Sequence, residues 1–523
     1  MTPSPFAAVL AGLALLTPLA LAGPDAPTAP RAEDAPPQEA PPYAYSDAEV
    51  AARVGSALLL EPSVAVATLE ASAEDGVVTL SGEAPHLLAR DRAIEVASSL
   101  RGVRAVIDRV EIRPVEVDDD ELLHGVEAAL ALDPTTEAYE VQIAVQDGEV
   151  TLAGEVDSWQ ERALAERLAK GVAGVRGVEN ALTLRESAER EPEEVAQDVR
   201  SRLRWDTLVD DGMLVVNVDA EGQVILRGSV GSLAERRRAE ELALVRGATA
   251  VDAERVKIAA WKRTPDLRGS KYLDVSDAEV LDALRAALRY DPRVDVEPIR
   301  LSLANAEVTL EGTVSSLKAR RAAERDAQHV VGVRSVRNLL EVEGEPPTDA
   351  ALEVALELVL ARDAYVGGRG LTVRVEDGVV HLAGTVATPF ERAVADDACA
   401  RVSGVLRVEN ALEVEEPEQP FYERLRMNYG WGPTQFRWTW DPPAATRDPA
   451  LDPSVQATIE SELRWSPFVD EEDVEVFVQE GVAHLTGTVG SHMERKAAIQ
   501  CAYDGGARDV EAELTVEDAT PSD

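Results

Sequence analysis

Six histidines, two cysteines and 96 Asp and Glu residues are the raw material for any acid–base, nucleophilic or metal chemistry in this 523-residue chain. A catalytic or metal site needs several such groups to converge. His86, His124, His329, His381, His484 and His492 are scattered, and His381 and His484 hold one outward position in equivalent strands, where solvent-exposed sheet residues are expected. Cys399 and Cys501 have no metal-ligand spacing and do not make a disulfide framework. The acidic runs 118–121 and 471–473 lack the alternating ligands and turn glycine of a calcium loop, and read as solvated charge at element starts. The chain contains no phosphate-cradling Gly-rich loop, nucleophile elbow or HExxH motif. These residues point to a noncatalytic protein without cofactor or metal.

Binding chemistry has better candidates. Leu203-Arg204-Trp205, Leu288-Arg289-Tyr290 and Leu463-Arg464-Trp465 fall in one column at the end of a repeated helix. An aromatic beside an Arg suits a lipid–water interface, where the ring sits at headgroup depth and the guanidinium pairs with phosphate. The alternative is an aromatic lid over a small core. Residues 421–440, with Trp431, Trp438 and Trp440 among seven aromatics, read as a docking segment that packs on neighbouring modules or inserts at a membrane surface. An Arg column (Arg90, Arg162, Arg236, Arg320, Arg392, Arg495) is expected to lay its stems over a sheet and reach a carbonyl or carboxylate, with a ligand headgroup as the other possibility. Against these stands a net charge of −44, from 52 Lys and Arg against 96 acids. That charge repels nucleic acid, which is excluded as a partner, and opposes anionic lipid except at a local basic patch.

The elements that carry these residues repeat six times. A strand of the form Val78-Thr79-Leu80-Ser81-Gly82 recurs with its glycine at Gly154, Gly228, Gly312, Gly384 and Gly487. Six residues earlier stands a hairpin-turn glycine, at Gly76, Gly148, Gly222, Gly378 and Gly481, with Asn305-Ala306 in the fourth copy. Before each hairpin runs a helix with apolar residues four apart, such as Val50, Val54 and Leu58, opened in two copies by the capping boxes Ser46-Asp47-Ala48-Glu49 and Ser276-Asp277-Ala278-Glu279. A second helix follows the strand glycine. It carries an alanine stripe (Ala93 and Ala97 in the first copy), in which Cys399 substitutes for alanine, and is expected to end at Gly102, Gly174, Gly247, Gly332, Gly404 and Gly506. A third strand closes the unit, as in Val178-Glu179-Asn180-Ala181-Leu182. The fold class is therefore α+β: six tandem α-β-β-α-β modules, each a three-stranded mixed sheet with two helices on one face. Only 7 Trp, 9 Tyr and 6 Phe are available, so the cores are filled by Ala, Val and Leu, which suits small modules.

The pattern DG-V-x-L-x-G-x-V followed by G-V-x-x-V-x-N-x-L resembles the BON domain family of bacteria, with copies three and six departing most. The resemblance implies an exported envelope protein linked to osmotic stress or envelope integrity, whose modules contact phospholipid or other envelope material and carry no catalytic residues. The modules are placed at 46–113, 118–185, 192–259, 276–343, 348–415 and 453–517, with linkers at 260–275 and 416–452. Residues 1–22 read as a signal peptide, apolar and ending in Ala20-Leu21-Ala22, and 23–45 as a Pro/Ala-rich linker without a lipoprotein Cys. The expected location is periplasmic or otherwise extracytoplasmic, and the expected partner is a phospholipid surface or, failing that, envelope proteins held by a multivalent scaffold. The oligomeric state is not legible.

Overall fold

The computed structural model describes residues 45–259, 275–415 and 452–516, apart from 62, 65–66, 137–139, 186–189, 344–346, 467–468, 470–472, 480–481, 491, 505–506 and 508. The expected signal segment and all but the last residue of each of the three linkers lie outside it, as do Trp431, Trp438, Trp440 and Gly481.

Module 1 shows how the sequence builds each unit. Its first helix, Asp47–Leu60, opens on a reciprocal capping box between Ser46 and Glu49 and buries Val50, Val54 and Leu58. Strands Thr68–Glu74 and Val77–Ala84 pair antiparallel, and Ala105–Ile112 joins the second of them in parallel, so the glycine strand is central. The second helix, Leu87–Ser98, lays Ala93 and Ala97, both fully buried, against this sheet. All six copies repeat the order, and each has its own core cluster. Cys399 and Cys501 lie in the alanine stripe or beside it as buried free thiols, and burial pushes the Cys399 thiol up to about 12. In module 5 the third strand splits into Arg407–Asn410 and Glu413–Val414. In module 3 the register shifts between Ile225 and Arg227.

Two contacts explain recurrent residues. Asp75 and Gly76 both take positive φ in the hairpin turn, and the side chain of Asp47 accepts from both their amides at 2.9 Å. Asp119 and Asp349 do the same for Asp147-Gly148 and Asp377-Gly378, tying each helix start to its turn. Gly82 is needed because a Cβ there would lie 1.9 Å from the Thr68 carbonyl oxygen.

One expectation is corrected. The second helices end at Ser98, Lys170, Ala243, Gln328 and Ala400, several residues before Gly102, Gly174, Gly247, Gly332 and Gly404. Those glycines instead form the turn into the third strand. At Gly332 a Cβ would meet the Val280 side chain of the first helix at 2.9 Å. Positive φ is common to all five, and at Gly102, Gly247 and Gly332 close approach to a valine of the first helix adds to it.

Candidate functional site

The Arg column reaches carbonyls of the third strand in three modules. Arg162 donates to the Leu182 and Asn180 carbonyls at 3.0 and 2.6 Å, and Asn180 returns a bond to the Arg162 carbonyl. Arg320 with Asn338, and Arg495 with the Ala512 carbonyl, follow suit. Asn410 keeps the return bond to Arg392. The asparagine of the repeat motif is thus the partner of this helix. His381 and His484 stand on the outer sheet face, each 3.1 Å from a neighbouring glutamate, Glu409 and Glu511. His86 behaves differently: it caps the second helix of module 1, where three other modules place Ser158, Ser232 and Ser316, by accepting from the Ala89 amide through Nδ1. Burial beside the Tyr365 ring, 4.2 Å away, pushes its pKa down to about 4, so the ring is neutral. Among the described residues, no three His, Cys, Asp or Glu side chains are grouped to hold a metal ion.

The aromatic column occupies contacts between modules. Trp205 ends the first helix of module 3 and packs on the core of module 4, and Tyr290 ends the equivalent helix of module 4 and packs on the core of module 3. The Arg202 guanidinium lies 4.0 Å over the Tyr290 ring, and burial pushes its pKa down to about 10. The main chains join as well: Val331 N donates to the Trp205 carbonyl at 2.9 Å and Thr207 N to the His329 carbonyl at 3.0 Å. These rings are therefore partly buried against the neighbouring module, and each helps to close its neighbour's core rather than its own. Arg204 and Arg289 remain exposed, as does Arg464; the Trp465 side chain lies outside the description.

The same geometry joins modules 2 and 5. Ala173 N donates to the Arg362 carbonyl at 2.8 Å and Ala364 N to the Gly171 carbonyl at 2.9 Å. The two faces enclose a cavity of about 40 Å³, lined by residues that include Ala129, Leu168, Val359 and Val402. Modules 1 and 6 meet at corresponding positions through side chains: Arg53 pairs with Glu462, and Arg101 donates to the Ser466 and Val469 carbonyls at 3.1 and 3.0 Å. Pairs 3–4, 2–5 and 1–6 are thus nested.

A second kind of contact links modules 1, 2 and 3 in a closed cycle. The first residue of a second helix enters the next module: Leu87 the core of module 2, and Leu233 the core of module 1. Trp159 donates its indole N–H to the Ala248 carbonyl of module 3 at 2.9 Å. Leu317 likewise enters the core of module 5, beside an ion pair from Arg321 to Asp396.

One set of residues went unread in the sequence: the carboxylates just past the first helix, Glu61, Asp133, Asp206, Asp291 and Asp363. Each accepts from the amide two residues on. Arg238 holds Asp206 at 2.8 Å, and Arg401 stands 3.7 Å from Asp363, whose pKa burial pushes up. The available signal is an acid before Pro or Thr, a local turn pattern that holds in four of the five (EP, DP and DT) and fails at Asp363, which precedes Ala364.

No helix among the described residues is long and apolar enough to cross a membrane. The sequence profile of the BON domain matches residues 46–114, 118–186, 193–260, 276–344, 348–416 and 452–518. The chain is 29% identical over 143 residues to osmotically-inducible protein Y of Escherichia coli (strain K12), covering 26% of this chain and 71% of that protein. Among solved structures, the C-terminal domain of CdsD, the structural protein of the type III secretion system of Chlamydia trachomatis, aligns with 44% of this chain and 100% of its own at 17% identity and a TM-score of 0.12. The PrgH periplasmic domain aligns with 40% and 98% at 12% identity and a TM-score of 0.11.

Proposed function

The chain belongs to the BON domain family, and from that membership we propose that it is a noncatalytic, exported envelope protein of the osmotic or envelope-stress response, working as a preassembled scaffold for envelope proteins. The observation that carries the scaffold reading is the interlocking of the modules. Trp205 and Tyr290, the rings best suited to a lipid interface, lie in contacts between modules, and the net charge of −44 opposes anionic headgroups. Six modules held together present many surfaces at fixed spacing, which raises avidity without any one of them binding tightly. The similarity to osmotically-inducible protein Y supports the stress role.

Peripheral phospholipid binding is the second reading, favoured by exposed Arg204, Arg289 and Arg464 at helix ends and by the family resemblance. Flotation of residues 23–523 with zwitterionic or anionic vesicles at low and high salt separates the two. The scaffold reading expects no flotation and recovery of envelope proteins by pull-down. Salt-sensitive flotation with anionic vesicles, abolished by replacing the three arginines with Gln, establishes the lipid reading instead.

A further inference from the structure

Fourteen residues past the strand glycine, five modules place a buried apolar side chain or thiol on the second helix: Val96, Leu168, Leu242, Ala398 and Cys501. Module 4 places Asp326 there. Its Oδ2 is buried with no hydrogen-bond partner, and its carboxyl stands against that of Asp291, the residue capping the end of the first helix. Two carboxyl groups in such contact, out of water, cannot both ionise and must share a proton.

The surrounding charges decide which one holds it. Arg293, in the loop after the first helix, donates through Nε to Asp291 at 2.8 Å and again through Nη2. Arg325, on the same helix as Asp326, stands 4.0 Å from Asp291. Beyond Arg293 lie Asp133 of module 2 and Lys318, which is itself paired with Asp397 of module 5 and faces Arg401. Burial works against an ionised Asp291, but the bonds from Arg293 hold its pKa low; burial and then the Asp291 charge push Asp326 up to about 8.

The position of Asp326 in the chain gives this proton a consequence. The Asp326 carbonyl accepts from His329 N, and residues 329–331 are those that exchange main-chain hydrogen bonds with Trp205 and Thr207 of module 3. His329 itself faces Arg238 and Asp206 of module 3, and burial holds its pKa low.

We propose that the Asp291–Asp326 pair is a proton-operated catch, which keeps the second helix of module 4 closed on the first and so presents residues 329–331 to module 3. The folded chain keeps on Asp326 a proton that the unfolded chain loses near the ordinary Asp value. The contact is therefore firmest toward acid and loosens as pH rises from the ordinary Asp value to about 8. This is independent of what the modules bind.

Hydrogen exchange read by mass spectrometry on the full chain tests the catch. The peptides to follow carry 205–207 and 329–331, from about pH 6 to about pH 9.5, corrected for intrinsic exchange. Between the ordinary Asp value and about 8, where the closed form holds a proton that the open form has lost, opening is predicted to rise by up to about tenfold per pH unit in the native chain, and to level off above that. Asp326→Leu, which installs the residue of modules 2 and 3, and Asp326→Asn are both expected to flatten that slope. A flat profile in the native chain overturns the proposal, as does a slope that persists in both variants.

Discussion

The contact of modules 3 and 4 and that of modules 1 and 6 use corresponding ends of the same elements, yet they are made of different forces. The first exchanges main-chain hydrogen bonds and seats Trp205 and Tyr290 in opposing cores. The second sets Arg53 against Glu462 and sends Arg101 to two carbonyls. Apolar area and backbone bonds tolerate salt and substitution, whereas a desolvated ion pair is stabilising only while both partners are present. One fold thus offers a durable joint and a conditional one from one docking geometry.

Glu462→Ala attacks the conditional joint most directly, leaving Arg53 without that carboxylate in a dry site at a cost of about 3–5 kcal/mol. Fluorescence transfer between labels on modules 1 and 6 should fall in this variant, and the exchange Arg53→Glu with Glu462→Arg should restore it. Acid comes next. His86 is neutral in the fold with a pKa of about 4 against 6.5 when free, so its contribution is present above pH 6.5 and is lost as pH falls through 4. That loss is of the order of 3 kcal/mol, and His86→Ser, which keeps the cap in the manner of Ser158, should remove it from the pH profile of thermal unfolding. Trp205→Ala strikes the durable joint at about 2 kcal/mol, below a fully buried Trp because the ring is half-exposed. Its unfolding midpoint should shift equally at low and at about 1 M salt. Cys399→Ala should matter least, below about 1 kcal/mol by denaturant unfolding, because alanine already fills that column in the other five modules.

What could be read in advance follows the range of each interaction. The hairpin at Asp75-Gly76, the capping box at Ser46 and Glu49 and the alanine stripe are local or periodic, and each appears in the fold where its spacing places it. Gly102 is conspicuous in the sequence, but its place in the turn depends on Val50, far away in sequence, so spacing alone puts it at a helix end. The partnership of Arg53 with Glu462, separated by 409 residues, has no local signature. Trp205 and Tyr290 stand out in the sequence as aromatic rings at a repeated helix end. A ring beside an Arg looks the same whether it is destined for a bilayer or for a neighbouring core, and only packing distinguishes the two.

The nested order of the three pairs has a consequence for how the chain is made. Modules 3 and 4 are neighbours in sequence and close the shortest loop, so they can dock while the rest of the chain is still being synthesised. Modules 2 and 5 then meet across a span already shortened by that closure, and Glu462 reaches Arg53 last. Assembly outward from the middle replaces one long and entropically costly search by three short ones, as a zipper does. It also leaves the ionic joint as the last to form and the first to open.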